Sequence, residues 1–480
     1  MSAAASGNQD ILKQLDDSKI TGFHWKIMFV SSMGFFTDAY DLFIIGVALA
    51  LIKPEWHPSS FESSLVSALA LLSAAIGAIV FGRIADLLGR KRVYGYEVLI
   101  LAAAATACAF SPNIWWLIVF RFILGIGIGD DYPVSSTIMS EYAGRSSRGL
   151  MVSLVFAAQA AGLIVGPLIA AALLLSGVSH DLAWRLMLGF GAIPGLAVFY
   201  LRRQIQETPR FTMESGHHEE FARAAGNILG QHNQPGSAGG PSMHDARPSF
   251  MEGFALLVSS RRLLAWTIAA CGAWFMMDFA YYGNTISGPI VLKALDPKAD
   301  LLRTTLEQLV VFAIFAVPGY ALAALTMDRL GRKFIQIMGF IGMTVAFGLI
   351  AFIPGVTKLV IPFLILYGLS YFFTEYGPNT TTFVYPSEIF PTRVRTTAAG
   401  LATAISRIGG FIGTFLFSFL VTGYGLAAAE LVAGVTALIG IALTLLLPEP
   451  KGKSLEELAA EAEASPAEMR GAGAQNMSPA

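Results

Sequence analysis

The chain has 480 residues, of which 55% are hydrophobic and only 14% are charged. Soluble globular domains carry roughly 25% charged residues, so this composition excludes an ordinary soluble protein and indicates one that crosses a membrane several times. The formal net charge of −1 argues against nucleic-acid binding, because proteins of that class carry a marked excess of basic residues.

The first residues and the cysteines narrow the class further. Residues 1–19 are polar and lack the apolar core of a cleavable signal peptide, so we expect none. Cys108 and Cys271 lie in separate apolar runs, which predicts two buried free thiols. Neither has a histidine or second cysteine at ligand spacing, so we expect no metal site and no cofactor.

Apolar runs long enough to cross a bilayer recur along the whole chain. A spanning helix needs about 20 apolar residues, and about twelve such runs can be marked. They cover residues 26–52, 63–85, 93–110, 114–139, 150–176, 184–201, 262–292, 305–327, 335–353, 359–385, 398–421 and 427–447. We therefore predict an all-α membrane protein with twelve transmembrane helices.

Basic residues predict the orientation of these runs. They fall in alternate loops, at Arg90, Lys91, Arg92, Arg145, Arg148, Arg202, Arg203, Arg329, Arg332, Lys333, Arg393 and Arg395. Cytoplasmic loops are enriched in lysine and arginine, and an even number of spans leaves both ends on one side. Both termini are therefore predicted to be cytoplasmic.

The chain also repeats itself, which predicts two six-helix halves. The sequence DLLGRK at 86–91 recurs as DRLGRK at 328–333. Parallel repeats of this kind are a transporter architecture, with the substrate site between the halves near the midplane. The predicted organisation is a cytoplasmic segment at 1–25, helical bundles at 26–201 and 262–447, a cytoplasmic linker at 202–261 and a cytoplasmic tail at 448–480.

The linker and the tail receive no chemical role. The linker contains NQPGSAGGPS and the pair His217 and His218, which we interpret as flexible chain in preference to a metal site. In the tail, a short capped helix is predicted from Ser454, followed by disordered chain.

Charged residues inside the first six runs are candidates for proton handling. A carboxylate near the centre of a spanning helix costs about 3 kcal/mol, so chance placement is disfavoured. Convergence on a common interior would offset this cost, either in a proton path or in a structural ion-pair network. The candidates are Asp38, Glu97, Arg121 and Asp131, whereas Asp41 and Asp130 are weaker ones. Asp130 and Asp131 cannot both face the same point, because adjacent helix positions diverge by about 100°.

Later runs carry the candidates for a binding face. Gln159 offers an amide that can donate to an oxyanion or to a neighbouring helix. In the seventh run, an indole, a carboxyl and a phenol follow one another every four residues and therefore share one face. These residues are Trp274, Asp278 and Tyr282, and the central carboxyl favours binding over plain packing.

The tenth and eleventh runs add an amide and a cation. Pro378 lacks a backbone donor and is expected to loosen its helix, leaving Asn379 free to face a cavity. Glu375, one turn earlier, is a carboxyl of unknown role. Arg407 lies within an apolar run, where it either attracts an anion or extends to the membrane surface.

These motifs together resemble those of the major facilitator superfamily and, within it, the phosphate:proton symporter family. Residues 129–141, GDDYPVSSTIMSE, are similar to the family signature GGDYPLSATIMSE. The stretches FFTDAYDLF at 35–43 and GPNTTTFVYPSEIFPTRVR at 377–395 match it too, as does the 274–282 stripe. The resemblance implies the major facilitator fold, with two six-helix halves around one site.

The resemblance also implies roles for individual residues. It implies that phosphate is held by Tyr132, Gln159, Trp274, Asp278, Tyr282 and Asn379, and that Asp38, Glu97, Arg121 and Asp131 handle protons. Two positions depart from the family pattern, namely Asp130 in place of a glycine and Arg407 in place of a lysine. Arginine keeps the positive charge for an anion but does not titrate.

The predicted function is proton-coupled uptake of inorganic phosphate by alternating access. A protonated Asp278 would donate to the anion whereas an ionised one would repel it, so proton and anion would favour each other's binding. The alternatives are a proton-coupled symporter of an organic anion or sugar and a sensor that binds without transport; no enzyme motif is present. We expect a monomer in a plasma membrane, such as a bacterial inner membrane, with protons, phosphate and lipid as its partners.

Overall fold

The computed structural model describes residues 11, 13–214, 218–229 and 249–463, and every regular element in these ranges is a helix. The first set of long helices is α1 (Gly22–Trp56), α2 (Ser60–Leu88), α3 (Tyr96–Ala109), α4 (Ile114–Tyr142), α5 (Arg148–Leu175) and α6 (His180–Arg202). The second set is α7 (Arg261–Ile286), α8 (Leu301–Leu330), α9 (Arg332–Phe352), α10 (Val360–Ile389), α11 (Arg395–Tyr424) and α12 (Leu426–Thr444).

Most of these helices have the length and composition of a membrane span. Within the described ranges, ten helical stretches are long and apolar enough to cross a bilayer. The two remaining long helices are α3, which is shorter, and α4, which carries Arg121, Asp130 and Asp131. The prediction of an all-α, multi-pass membrane protein is confirmed.

Small residues allow the helix backbones to touch inside the bundle. A Cβ atom added at Gly125 or Gly129 of α4 would collide with the backbone carbonyl of Ala70 or Ala74 in α2. Contacts this close suit membrane interiors, where association rests on packing rather than on hydrophobic burial. The glycine series of α4 therefore serves close packing against α2.

The two DxxGRK repeats cap helices of the opposite set. Asp86 Oδ2 accepts from the backbone nitrogen and the hydroxyl of Thr397 at 2.6 and 2.7 Å, in the first turn of α11. Asp328 accepts from the backbone nitrogens of Gly149 and Leu150 at 3.0 and 2.8 Å, in the first turn of α5. We call the end of the bundle that carries residues 86–91 and 328–333 the motif face.

Ion pairs reinforce the motif face. Glu141 accepts from Arg90 at 3.2 Å and from Arg395 at 3.1 Å, which joins the first and second sets. Glu207 accepts from the backbone nitrogens of Arg90 and Lys91, and burial raises the pKa of its carboxyl while the Arg90 charge opposes that rise. The two sets are thus held together at this end.

The segment between the two sets contains short helices, which the prediction of a flexible linker did not include. Short helices cover Pro209–Glu214, His218–Leu229 and Phe250–Leu257. The NQPGSAGGPS stretch and His217 lie outside the described residues, as does the side chain of His218. The seventh run also differs from its prediction, because α7 ends at Ile286 and a second helix, Gly288–Leu295, follows it.

The remaining local predictions concern the tail and the cysteines. The tail helix runs over Leu455–Glu463, and Ser454 caps it by accepting from the backbone nitrogen of Glu457 at 3.0 Å. This confirms the predicted capped helix, whereas the disorder predicted beyond it concerns residues outside the described ranges. Cys108 and Cys271 are buried free thiols, as predicted.

Asp328→Ala is expected to destabilise the protein, because the first turn of α5 loses two hydrogen-bond acceptors at once. Loss of one helix cap typically costs about 1 kcal/mol. Thermal unfolding of the detergent-solubilised protein measures the effect as a lower Tm. Asp181→Ala is the matched control, because it removes only a partly exposed pair with Arg185. Equal unfolding temperatures in the two variants would show that the inter-set cap adds no stability.

Candidate functional site

A buried ion pair between α7 and α11 forms the centre of the candidate site. Arg407 Nη1 donates to Asp278 Oδ2 at 2.6 Å and to the hydroxyl of Tyr282 at 2.8 Å. Asp278 and Tyr282 reach the same guanidinium because residues four apart share one face of a helix. Arg407 is 1% exposed, so the alternative in which it extends to the membrane surface is wrong.

The Arg407 guanidinium has unused hydrogen-bonding capacity. Its Nε and Nη2 atoms have no hydrogen-bond partner within the described part of the chain, and neither has Asp278 Oδ1. The guanidinium lies over the ring of Tyr132 at 4.0 Å and beside that of Tyr282 at 5.0 Å. A guanidinium donates through five N–H groups in a fork that matches oxyanions. Arg407 can therefore accept an anion without first losing all its present contacts.

Trp274 completes the α7 face and meets α4. Its ring centroid lies 6.2 Å from that of Tyr132, and its side chain is buried. The four-residue spacing thus brings Trp274, Asp278 and Tyr282 to one side of α7, as predicted from the sequence.

A chain of neutral groups runs from Tyr132 to α10. Gln159 Nε2 donates to the Tyr132 hydroxyl at 3.2 Å, and the hydroxyl of Tyr320 donates to Gln159 Oε1 at 2.6 Å. Asn379 Nδ2 donates to the Tyr320 hydroxyl at 2.9 Å and to Glu375 Oε2 at 2.5 Å. Since Tyr132 also lies beneath Arg407, the structure links all seven predicted binding residues into one network.

A break in α10 places Asn379 and Glu375 in this chain. Gly377 has φ −105° and ψ −111°, which is not helical, and Glu375–Asn379 forms a widened turn. Pro378 cannot donate to the preceding turn, and Gly377 lies against Gly339 of α9 at a distance that leaves no room for a Cβ atom. The predicted loosening of the tenth helix at Pro378 is confirmed.

A second cluster of charges lies within the first set of helices. Arg202 Nη1 donates to Glu97 Oε1 at 2.5 Å, and its Nη2 donates to Asp131 Oδ1. Ser135 also donates to Asp131, at 3.0 Å. Both Asp38 carboxylate oxygens lack a hydrogen-bond partner in the described ranges, and the charges of Asp131, Arg202, Asp41 and Arg407 all act on that carboxyl. The Asp38 carboxyl is therefore within electrostatic reach of both charge clusters.

Arg121 is not the cation of this cluster, contrary to the sequence-based grouping. Its Nη1 donates to the backbone carbonyl of Asp41 at 2.9 Å and its Nε donates to that of Val66 at 3.4 Å. The contacts with Glu97 and Asp131 are made instead by Arg202. The proton-handling role predicted for Arg121 stays a prediction.

The sequence alone did not indicate a site role for two residues, Arg202 of the charge cluster and Tyr320 of the hydrogen-bond network. Arg202 ends an apolar run and was counted among the loop cations, although it is 1% exposed. Tyr320 is a lone polar aromatic residue in the apolar eighth run, and its partners come from α5 and α10. The available signal for Arg202 was its position at the end of an apolar run, because a basic residue there can turn toward buried acids.

Aromatic rings close the site toward the motif face. Phe156 and Phe383 stack with centroids 4.7 Å apart, and Phe35 contacts Tyr132 at 4.8 Å. Each phenylalanine lies about one turn nearer the motif face than Gln159, Asn379 or Asp38 on its own helix. At the opposite end, a cavity of about 390 Å³ lies between the two sets, and Lys53 and Lys293 are among its lining residues.

Comparisons with known proteins place the chain among transporters. The model of the family described as sugar (and other) transporter matches residues 27–462. The chain is 35% identical to a probable inorganic phosphate transporter 1-6 of Arabidopsis thaliana, covering 94% of this chain and 96% of the relative. It is 33% identical to the low affinity inorganic phosphate transporter 3 of Petunia hybrida, covering 96% of each chain.

Solved structures with the same fold include those of a xylose transporter. The proton:xylose symporter XylE bound to 6-bromo-6-deoxy-D-glucose superposes with a TM-score of 0.77 at 21% identity, over 92% of this chain and 99% of that one. The inward-open conformation of XylE from E. coli superposes with a TM-score of 0.64 at 20% identity, over 91% of this chain and 99% of that one. These similarities show the fold.

Gly34→Ala is expected to disrupt the Arg202 cluster, because a Cβ atom at position 34 of α1 would collide with Asp131 Oδ2 and Arg202 Nη2. Overpacking of this kind typically costs about 1–3 kcal/mol. Thermal unfolding checks this, and Gly348→Ala is the matched control because nothing lies within 4 Å of a Cβ atom there. A Gly34→Ala protein as stable as the Gly348→Ala protein would contradict the close packing of the cluster against α1.

Proposed function

The chain belongs to the sugar (and other) transporter family, and on this premise we propose that it takes up inorganic phosphate together with protons by alternating access. The observation that carries the proposal is the buried Arg407 guanidinium, which keeps two unpaired nitrogen atoms inside the site. From Tyr132 and Tyr282, which contact it, a network of neutral polar groups extends over four other helices, α4, α5, α7 and α10.

The donor set suits an oxyanion that must be released again. We propose that phosphate binds to Arg407 and to the neutral groups of Tyr132, Gln159, Trp274, Tyr282 and Asn379. Hydrogen bonds from neutral donors to phosphate lack the attraction between two full charges that a second cation would add, so a single guanidinium among neutral donors limits the affinity. The names of the relatives, which are inorganic phosphate transporters, support phosphate over other oxyanions.

Proton coupling follows from the competition between Asp278 and the anion for Arg407. While Asp278 is ionised, it holds the guanidinium and repels a second anion. A proton on Asp278 removes that charge and leaves Arg407 free to bind phosphate, so each ligand favours the other. We propose that Asp38, Glu97 and Asp131 carry protons toward this pair, with Arg202 compensating their charge.

Voltage sets the minimum number of protons. Each elementary charge moved through 100 mV changes the free energy by about 2.3 kcal/mol. An inside-negative potential opposes the entry of phosphate alone, so the protons must at least match the charge of the anion. We therefore propose a cycle that carries net neutral or positive charge inward.

The proposed architecture is twelve transmembrane helices, with residues 26–201 rocking against residues 262–447. The motif face is proposed to be cytoplasmic, because its loops hold the basic residues, and both termini then lie on that side. The cavity with Lys53 and Lys293 would face outward and attract anions. We propose a plasma membrane location and a functional monomer.

Uptake into proteoliposomes with the pH gradient and the voltage imposed separately tests the proposal. Purified protein is expected to accumulate labelled phosphate when the outside is acidic, and an inside-negative potential should not reduce that uptake. The controls are liposomes without protein and proteoliposomes in which a protonophore has dissipated the proton gradient. Phosphate uptake that ignores an imposed pH gradient would rule out the coupling.

Asp278→Asn is expected to keep anion binding and to lose proton-driven accumulation, because the amide resembles the protonated acid and leaves Arg407 unpaired. Binding of labelled phosphate in detergent and accumulation in proteoliposomes measure the two effects. Arg407→Gln is the contrasting variant, for which binding itself should fall at least tenfold. Accumulation that survives in the Asp278→Asn protein would exclude this carboxyl as the coupling acid.

Competition against labelled phosphate distinguishes phosphate transport from the alternative, transport of an organic anion or sugar. The family includes transporters of sugars and of other solutes, so this alternative needs a test. Arsenate, an oxyanion of the same shape and charge, is expected to compete, whereas hexoses and dicarboxylates should not. Inhibition by a hexose at concentrations where arsenate has no effect would support the alternative.

A further inference from the structure

Glu375 is a buried acid in the candidate site that the proposed cycle has not used. Its side chain is 0% exposed, and its Oε1 atom has no hydrogen-bond partner in the described ranges. No ion pair joins it to a lysine or arginine of those ranges, in contrast to Asp278, which pairs with Arg407. Burying an ionised carboxyl without a cation is costly, and an anion arriving beside it raises that cost, so a proton binds to Glu375 more readily when the site holds an anion.

Within the described ranges, the titratable groups that face Glu375 are tyrosines. Tyr281 faces it from α7, Tyr320 from α8 and Tyr371 from the first part of α10. From α9, Gly339 packs against this segment, and the charged residues of that helix, Arg332 and Lys333, lie at the motif face. Glu375 is therefore the acid in this environment that can gain or lose a proton during transport.

The hydrogen bonds of Asn379 connect Glu375 to the anion site. The Asn379 amide nitrogen carries two hydrogen atoms, but three acceptors lie within reach. These are Glu375 Oε2 at 2.5 Å, the Tyr320 hydroxyl at 2.9 Å and Gln159 Oε1 at 3.4 Å. An ionised Glu375 is the strongest of the three, because charged acceptors form the stronger hydrogen bonds.

We propose that Glu375 is a second proton-binding site of the transport cycle, which binds a proton as the anion arrives and thereby releases the Asn379 amide to it. A protonated Glu375 is a weaker acceptor and donates a hydrogen atom of its own. Glu375 is thus a positioning residue that acts through Asn379, and the inference rests on the proposed phosphate transport.

The proton bound at Glu375 adds one positive charge to the net charge moved in each cycle. The O–H bond at Glu375 forms with a proton from the side on which the anion enters. It breaks when the anion leaves, and the proton departs to the other side. Each transported phosphate is then accompanied by one proton more than the Asp278 site alone provides.

Glu375→Gln tests the inference, because glutamine is neutral at every pH and has the same shape. The measurements are the pH dependence of the apparent phosphate affinity and the charge moved per phosphate in proteoliposomes. One linked proton changes an apparent affinity by up to about tenfold per pH unit. In the Glu375→Gln protein, the change of apparent phosphate affinity per pH unit should be smaller than in the wild type by up to about this factor. The variant should also move one charge fewer per phosphate.

Glu430→Gln is the matched control. Glu430 is also buried, its Oε1 atom also lacks a partner in the described ranges, and its Oε2 atom accepts from Asn284 at 3.3 Å rather than from Asn379. This variant should keep the wild-type pH dependence and charge. Glu375→Asp retains a titratable acid and should keep most of the pH dependence, which a purely structural role of Glu375 does not predict.

The outcomes separate this inference from the proposed function. Wild-type protein that takes up no phosphate overturns the proposed function. Wild-type protein that transports, together with a Glu375→Gln protein of unchanged pH dependence and charge, overturns the role of Glu375 alone. If Glu375→Gln does not fold, the Glu375→Asp protein decides: a shifted pH midpoint of its phosphate affinity supports a proton site at position 375, and an unchanged midpoint overturns it.

Discussion

The ion pair between Arg407 and Asp278 is the interaction on which the arrangement of the site depends. A cation and an acid in the interior of a helical bundle are each costly, and each is tolerated because the other compensates it. Removing one partner of a buried pair typically costs about 3–5 kcal/mol, so the protein cannot easily leave either charge alone. An arriving anion and an arriving proton can replace the two partners together, and neither can do so alone at low cost.

The same principle organises the polar residues around the pair. Arg202 compensates Glu97 and Asp131 within the first set of helices, and the Asp38 carboxyl is within electrostatic reach of both that cluster and Arg407. Neutral amides and hydroxyls fill the remaining positions, where a further charge would need a further partner. The reciprocal caps by Asp86 and Asp328 hold the two sets together at the motif face, so the site is enclosed where the sets meet.

Much of this could be predicted from the sequence, because membrane helices have a strong local signal. The apolar runs follow from hydropathy, and the four-residue spacing of Trp274, Asp278 and Tyr282 follows from the periodicity of a single helix. The DxxGRK repeat is visible in the sequence itself. The break at Pro378 followed equally from local chemistry. The family resemblance added Tyr132, Gln159 and Asn379, which the structure brings into one network although no local pattern links them.

The misjudged elements are those that depend on packing between distant segments. Arg121 lies inside an apolar run and Arg202 at the end of one, but only the tertiary arrangement decides which of them meets Glu97. Tyr320 forms hydrogen bonds with Gln159 and Asn379, which lie more than fifty residues away on either side in the sequence. The short helices between the two sets were missed because their composition resembles that of a polar linker.

Counting the protons that enter the protein when phosphate binds tests the central claim most directly. Calorimetric titration of the purified protein, in buffers of different ionisation enthalpy and at a pH where free phosphate is almost entirely monoanionic, gives that number. The account predicts net proton uptake on phosphate binding, since Asp278 must lose its charge to release Arg407. Phosphate binding that exchanges no protons would contradict it.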